Sequence, residues 1–146
     1  MNKYFVIGNP IDHSLSPKLH NYWFKENNID AVYEKKQIKE TDIEQIILDI
    51  RKGKIEGINV TVPFKKLVIP FLDKVWTPEK AQSVNTIYKE KTIKGSNKII
   101  GTNTDITGFK YSLERIKYSA KGKTVLILGA GGVTSLIIYA LEEMKP

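Results

Sequence analysis

Five short stretches of this sequence carry side chains that could bind or transform a small molecule. The first is Gly8-Asn9-Pro10-Ile11-Asp12-His13-Ser14-Leu15-Ser16-Pro17. It sets two hydroxyls, Ser14 and Ser16, beside a helix start, where backbone N–H groups and the helix dipole favour a carboxylate or phosphate. The structural alternative is that Ser16 only caps its helix and Ser14 is a solvated loop residue. The second stretch is Asn59-Val60-Thr61-Val62-Pro63-Phe64-Lys65, a strand that offers Asn59 and Thr61 on one face and a lysine just past its end. A lysine partly withdrawn from water in a cleft can give or take a proton, although most lysines of so lysine-rich a chain must be solvated surface groups. The third and fourth are Ser83-Val84-Asn85-Thr86 and Gly101-Thr102-Asn103-Thr104-Asp105. Asn85 and Asp105 are either ordinary strand-entry and helix-start residues or the amide and carboxylate of a polyol site, with Asp105 holding Lys65 charged and oriented. The fifth is Val125-Leu126-Ile127-Leu128-Gly129-Ala130-Gly131-Gly132, an apolar run and a glycine turn before an apolar helix. That context suits phosphate binding by backbone N–H groups. Gly129 and Gly131 are spaced as in G-x-G-x-x-G, but Thr134 takes the last position, and a plain tight strand-to-helix turn is the alternative.

These stretches need a scaffold, and the chain alternates strand-like and helix-like segments, which predicts an α/β layer structure. Lys3 to Ile7 reads as a first strand. Ser16-Pro17 reads as a Ser N-cap and a first-turn proline, opening a helix to about Asn27 that buries Leu19, Tyr22 and Trp23. Ala31 to Ile38 is a second strand, charged enough for a sheet edge. Thr41 to Glu44 forms a T-x-x-E capping box, and Ile43, Ile46, Ile47 and Ile50 make an apolar helical stripe closed by Gly53. Gly57 to Val62 is a buried strand, followed by a short helix over Lys65 to Leu72 and another starting near Thr77-Pro78. Val84 to Tyr88 and Lys98 to Gly101 are strands joined by a turn around Lys94, Gly95, Ser96 and Asn97. Asp105 to Lys117 is a helix with Ile106, Phe109, Leu113 and Ile116 on one face. Ser119 to Gly122 marks a domain boundary, beyond which lie a strand, Thr124 to Leu128, and a helix burying Val133, Leu136, Ile137, Ala140 and Leu141.

Composition narrows the function classes. Hydrophobic and charged fractions of 41% and 27% are ordinary for a globular protein. With no cysteine, thiol catalysis, disulfides and cysteine-ligated metals are excluded. The histidines, His13 and His20, form no ligand cluster, so no metal is expected. The formal net charge is +7, but the lysines are scattered and only Arg51 and Arg115 are arginine, so no nucleic-acid stripe is present. No apolar run is long enough to span a bilayer. A cytoplasmic protein with a small-molecule partner, no nucleic acid and no membrane is expected.

Taken in order and at this spacing, G-N-P-I-x-H-S-L-S-P, N-V-T-V-P-F-K, V-N-T, G-x-N-T-D and G-A-G-G resemble the shikimate dehydrogenase family over the whole chain. The resemblance implies that Ser14 and Ser16 bind the substrate carboxylate. Asn59, Thr61, Lys65, Asn85 and Asp105 would face the substrate, with Lys65 and Asp105 as the catalytic pair. Gly129, Ala130, Gly131, Gly132 and Val133 would hold the pyrophosphate of NADP(H). The implied activity is reversible NADPH-dependent reduction of 3-dehydroshikimate to shikimate. A quinate/shikimate enzyme using NAD and a catalytically incompetent substrate-binding fragment are the alternatives, and a homodimer is compatible with all three. Thr102 departs from the G-D-N-T-D form, Ile106-Thr107 replaces a smaller pair, and the stretch from Asp73 to Asn85 is slightly short.

The fold expected on this basis is a substrate-binding domain over residues 1–104, with a mostly parallel sheet flanked by helices. A connecting helix over 105–118 would lead to the first βα unit of a Rossmann-type NADP-binding domain over 119–146. The lone βα unit is expected to lack packing partners. The polypeptide would then bind shikimate weakly, bind NADPH poorly and show no turnover alone.

Overall fold

A computed structural model describes residues 1–91 and 97–144. Six strands form one mixed sheet: β1 (Asn2–Gly8), β2 (Ala31–Gln37), β3 (Gly57–Val60), β4 (Lys74–Trp76), β5 (Thr86–Lys89) and β6 (Ile99–Thr102). Their order across the sheet is β2-β1-β3-β5-β6-β4. The pairs β1–β2, β1–β3 and β4–β6 are parallel, whereas β5 runs antiparallel to both of its neighbours. The helices are α1 (Ser16–Glu26), α2 (Ile43–Arg51), α3 (Asp105–Arg115) and α4 (Thr134–Glu143). Among the described residues no helix is long and apolar enough to cross a membrane.

The period-two alternation of the strands splits the sheet into a dry face and a polar one. Ile7, Ile58, Val60, Ile87 and Ile99 join the main core under α2, whose Ile43, Ile46, Ile47 and Ile50 are all buried, as the helical stripe predicts. Burying each such side chain is worth roughly 1.5–3 kcal/mol, so this layer supplies most of the stability. The opposite face carries Val6, Tyr33 and Ile11, with Tyr4 and Phe24 packed beside them. Asn59 lies on this second face, next to Thr86 across the antiparallel β3–β5 pair.

Several local expectations are corrected. Helix α1 turns His20, Asn21 and Phe24 inward and leaves Leu19, Tyr22 and Trp23 at least 60% exposed. A polar contact sets this rotation. The Asn21 side chain donates to the Tyr33 carbonyl at 2.7 Å and accepts from the Tyr33 N–H at 2.9 Å. It thereby covers backbone groups on the outer side of edge strand β2. Helix α2 is entered through a 3₁₀ turn at Glu40–Asp42. There the Asp42 carboxylate takes the backbone N–H of Lys39 at 2.8 Å, in place of the expected box between Thr41 and Glu44. The helices expected at Lys65 to Leu72 and after Pro78 are turns that include 3₁₀ segments at Ile69–Phe71 and Glu79–Ala81. Strand β4 leaves no mark in the sequence, because three residues with no alternation of burial give no periodic signal.

Helix α3 ends at Arg115, and Ile116 stands 70% exposed. The turn expected at Lys94, Gly95 and Ser96 lies outside the described residues. Thr124 to Leu128 forms no strand, and Leu126 and Leu128 are more than 80% exposed. A strand exists only through a ladder, and none of the described residues supplies one here. Helix α4 does find partners: Leu136 and Ala140 bury against Ala81 and Ile106, with Phe109 beside them, while Val133 stays exposed.

One side chain stitches the far end of the sheet to α2. Asp73 accepts the Ile99 N–H at 2.7 Å and pairs with Arg51 at 2.9 Å. The Arg51 hydrogen bond, followed by the Ile99 N–H, holds its carboxyl below the usual carboxylate range. A depressed pKa contributes stability that is complete above the unfolded value, about pH 4, and is lost as the pH falls through the folded value. Asp73→Ala is expected to cost about 1–2 kcal/mol at pH 7, the scale of a charged hydrogen bond. Denaturant unfolding should show that deficit shrinking as the pH is lowered below the unfolded carboxylate value; a deficit that stays the same from pH 7 into acid contradicts the role.

Candidate active site

The directions of the strands determine where polar residues meet. Strands β1, β3 and β6 end at one edge of the sheet, and antiparallel β5 begins there. The loop after β1 therefore delivers Ser16, the end of β3 delivers Thr61 and Lys65, the entry to β5 delivers Asn85, and the exit of β6 delivers Asp105. Gly8 lets the chain turn at this edge, since a Cβ there would lie 2.6 Å from the Thr61 methyl group and 2.9 Å from Ile11. Ser16, His20, Asn59, Thr61, Lys65, Asn85, Thr104 and Asp105 line one cavity of about 290 Å³.

A hydrogen-bond lattice fixes its floor. Lys65 Nζ donates to Asp105 Oδ2 at 2.7 Å. Asn85 Nδ2 donates to the other oxygen, Oδ1, at 2.8 Å, and to Thr104 Oγ1 at 2.9 Å. Asn85 Oδ1 accepts the Thr104 N–H and the Thr86 hydroxyl, both at 2.9 Å. The Asn59 amide donates to Thr86 Oγ1 at 3.0 Å and to the Asn85 carbonyl at 3.2 Å, and accepts the Tyr33 hydroxyl at 2.6 Å. Both amide groups thus spend their donors inside the protein. Lys65, only 16% exposed, keeps two further ammonium protons for the cavity. The Val84 N–H bonds to the Lys65 carbonyl at 2.8 Å, which ties the lysine loop to the entry of β5.

Ser16 is not the N-cap. That position falls to Leu15, and the Ser16 N–H bonds to Ser14 Oγ at 3.3 Å. The Ser16 hydroxyl is consequently free of capping duty and borders the cavity, whereas Ser14 shapes the turn from outside the lining. Asp105 opens α3 with its N–H held by Asn103 Oδ1 at 2.8 Å. The sequence reading did not single out Tyr33, His20, Thr86 or Thr104 as site residues. Tyr33 sits in a charged edge strand, and His20 carries no ligand pattern. Among the described residues no group of His, Asp and Glu side chains is arranged to hold a metal ion.

Gly132 and Val133 stand with Val62, Pro63, Lys65, Lys66 and Leu67 around a second cavity of about 510 Å³, walled largely by apolar groups. Gly129, with φ of 117°, and the open Gly131 lead into α4, whose first turn has no side-chain cap. Gly129, Ala130 and Gly131 do not reach this lining. The uncapped helix start and the unobstructed glycines fit a phosphate-bearing ligand, and the apolar wall fits a flat ring.

Residues 6–87 match the family described as "Shikimate dehydrogenase substrate binding domain". The chain is 58% identical to the shikimate dehydrogenase (NADP(+)) of Pelagibacter ubique, over 97% of its own length and 52% of that relative. The crystal structure of shikimate dehydrogenase from Aquifex aeolicus matches with a TM-score of 0.89 and 38% identity, over 99% of this chain and 53% of that one. The enzyme from Thermus thermophilus in complex with NADP(H) and shikimate gives 0.85 and 30%, over 98% and 52%. The chain spans about half the length of the curated relatives it matches.

The lattice carries its own test at Tyr33. Burial pushes this phenol above the usual tyrosine range, against a smaller opposing effect from the Ser16 hydroxyl. A raised acid pKa contributes stability that is complete below the unfolded value, about pH 10, and is lost as the pH rises beyond it. Tyr33→Phe is expected to destabilise the fold by about 1 kcal/mol at pH 8 through the lost bond to Asn59. It should also flatten part of the alkaline fall in unfolding midpoint; an unchanged slope above pH 10, with the variant folded, counts against a buried neutral phenol.

Proposed function

We propose, for a chain that belongs to the shikimate dehydrogenase family, that the whole protein reversibly reduces 3-dehydroshikimate to shikimate with NADPH. The observation that carries this reading is the ammonium–carboxylate pair, Lys65 and Asp105, locked by Asn85 in a polar cavity that Ser16 also lines. The names of the relatives support the substrate and the cofactor. We read residues 1–104 as the substrate domain, 105–118 as the connecting helix and 119–146 as the start of a Rossmann-type domain. We further take the enzyme to be cytoplasmic.

In this reading Ser16 and Ser14 hold the substrate carboxylate. Ser14 Oγ already accepts the Ser16 N–H, but its own proton remains to donate. Thr61 and the carboxylate of Asp105 hold ring hydroxyls. Asn59 and Asn85, with their amide donors committed, act chiefly by fixing Asp105 and Thr86 in place. Gly132 and Val133, together with the start of α4, would hold the dinucleotide, which when bound supplies the hydride. The other half of the reduction belongs to Lys65. Its ammonium gives one proton to the ketone oxygen as charge builds there and stabilises that charge until transfer is complete. In the oxidising direction the neutral amine takes the proton back. Asp105 keeps the nitrogen within 2.7 Å of its own oxygen and so limits where the proton can be delivered.

In the whole protein, Lys65→Ala should lower kcat by roughly 10²-fold or more, the contribution of a positioned general acid. KM should change much less. Steady-state NADPH oxidation with 3-dehydroshikimate measures this, and turnover near the parent's would rule out Lys65 as the proton donor.

The two serines should separate. Ser16→Ala is expected to weaken shikimate binding by about 1–3 kcal/mol, the scale of a lost bond to a charged group. Ser14→Ala should cost less binding but more of the local turn. Calorimetric titration decides, and equal or absent losses at both positions argue against a carboxylate at Ser16.

A further inference from the structure

Among the side chains of the polar cavity, His20 is the one that neither the lattice nor the proposed chemistry uses. Its Nδ1 lies 2.9 Å from the carbonyl oxygen of Ser16, one helical turn back. A carbonyl only accepts, so Nδ1 carries a proton, and in the tautomer this selects, Nε2 is a bare acceptor. The ring cannot turn away. It stacks on Tyr33 with centroids 4.1 Å apart and planes within 8° of parallel. Phe24 closes on it at 6.4 Å. Tyr33 is itself anchored three times, by its hydroxyl on Asn59 and by its backbone N–H and carbonyl on Asn21.

Among the described residues Nε2 has no protein partner, and His20 borders the same cavity as Ser16, Thr61, Lys65 and Asp105. Donors are plentiful in this cavity: the spare ammonium protons of Lys65 and the hydroxyls of Ser16 and Thr61. Acceptors are scarcer, because Asn85 Oδ1 is occupied from two sides and Asn59 Oδ1 holds the Tyr33 hydroxyl. A polyol must place hydroxyl protons as well as oxygens. Asp105 can take some of them, and His20 Nε2 is the remaining side-chain acceptor with neither a proton of its own nor a partner.

We propose that His20 is a substrate-binding residue whose Nε2 accepts a hydrogen bond from one ring hydroxyl of the substrate, on the Ser16 side of the cavity. The proposal rests on the functional reading above. It gives the stacked pair a purpose beyond packing: Tyr33 holds the imidazole plane as well as the Asn59 amide. Specificity then follows from the number and direction of ring hydroxyls, since an analogue without the facing hydroxyl leaves Nε2 unpaired.

The test is a cycle between residue and ligand in the whole protein. Shikimate and analogues that each lack one ring hydroxyl are titrated calorimetrically against the parent, His20→Phe and His20→Gln. Phenylalanine keeps a ring for the Tyr33 stack and removes the acceptor; glutamine restores an acceptor. His20→Phe should weaken shikimate roughly 5- to 20-fold, the range for one bond with a buried partner. It should leave the affinity for one particular deoxy analogue at the parent's value, and His20→Gln should recover much of the loss. Equal weakening for shikimate and every analogue makes His20 purely structural and overturns the proposal, as does unchanged shikimate affinity. If His20→Phe fails to fold, His20→Leu against His20→Gln decides by the same pattern. A parent protein that binds no shikimate overturns the functional reading and this inference with it, whereas shikimate binding with no coupling to His20 overturns this inference alone.

Discussion

The structure turns on one buried amide. Asn85 is 8% exposed, and a primary amide withdrawn from water must place two donors and an acceptor within the protein or forfeit the desolvation cost of each. It meets that requirement with groups from the exit of β6 and with the hydroxyl of neighbouring Thr86. Thr104 and Asp105 come from the exit of β6, and Asn59 from β3 donates to its backbone carbonyl. These contacts are available only because β5 runs against its neighbours and starts where they stop. A parallel β5 would begin at the opposite edge. The direction of one strand therefore decides whether this amide reaches the carboxylate of the Lys65–Asp105 ion pair.

The two faces of the sheet divide the work. The α2 face is apolar and continuous, mostly isoleucine and valine with Phe64 among them. The α1 face has Val6, Ile11 and Tyr33 as its apolar part and spends the rest on hydrogen bonds. A small domain can carry a half-polar face only if the other face supplies enough apolar burial to hold the sheet together. The isoleucines of α2 provide it. The same division explains the rotation of α1, which is docked by the Asn21 amide and by stacked rings and not by an aliphatic stripe.

What was legible in the sequence follows from the range of the interactions involved. The stripe of Ile43, Ile46, Ile47 and Ile50 was readable because helical period and burial are both local, and the structure buries all four. The convergence of Ser16, Thr61, Lys65, Asn85 and Asp105 was readable through motif spacing and strand ends. Tyr33 and His20 were not, since a stack between a helix and an edge strand leaves no periodic trace in either. The face of α1 is hidden from a periodic reading because Leu19, Tyr22 and Trp23 have the helical spacing of a core stripe, while the contacts that orient the helix are polar. Thr124 to Leu128 has the composition of a buried strand, but a strand is a relation between segments, and composition cannot supply its neighbour. The packing of Leu136 and Ala140 on Ala81 and Ile106 was missed for the converse reason: the 3₁₀ turn at Glu79–Ala81 has no pattern to announce it.

Lys65 occupies the boundary on which the proposed chemistry depends. It borders the polar cavity shared with Asp105 and Ser16, and also the apolar cavity that Gly132 and Val133 help to close. Reduction of a ketone needs a proton at oxygen and a hydride at the adjoining carbon, from opposite kinds of surroundings. The proton donor belongs among groups that can stabilise charge. The hydride donor belongs where water is excluded and a flat ring can lie against carbon. A side chain between the two regions can address the oxygen without entering the space the ring requires. Asp105 reinforces the arrangement by drawing the ammonium to the polar side, and Asn85 reinforces Asp105. The amide at the entry to β5 therefore bears on both halves of the reaction, although its own donors point only at the protein.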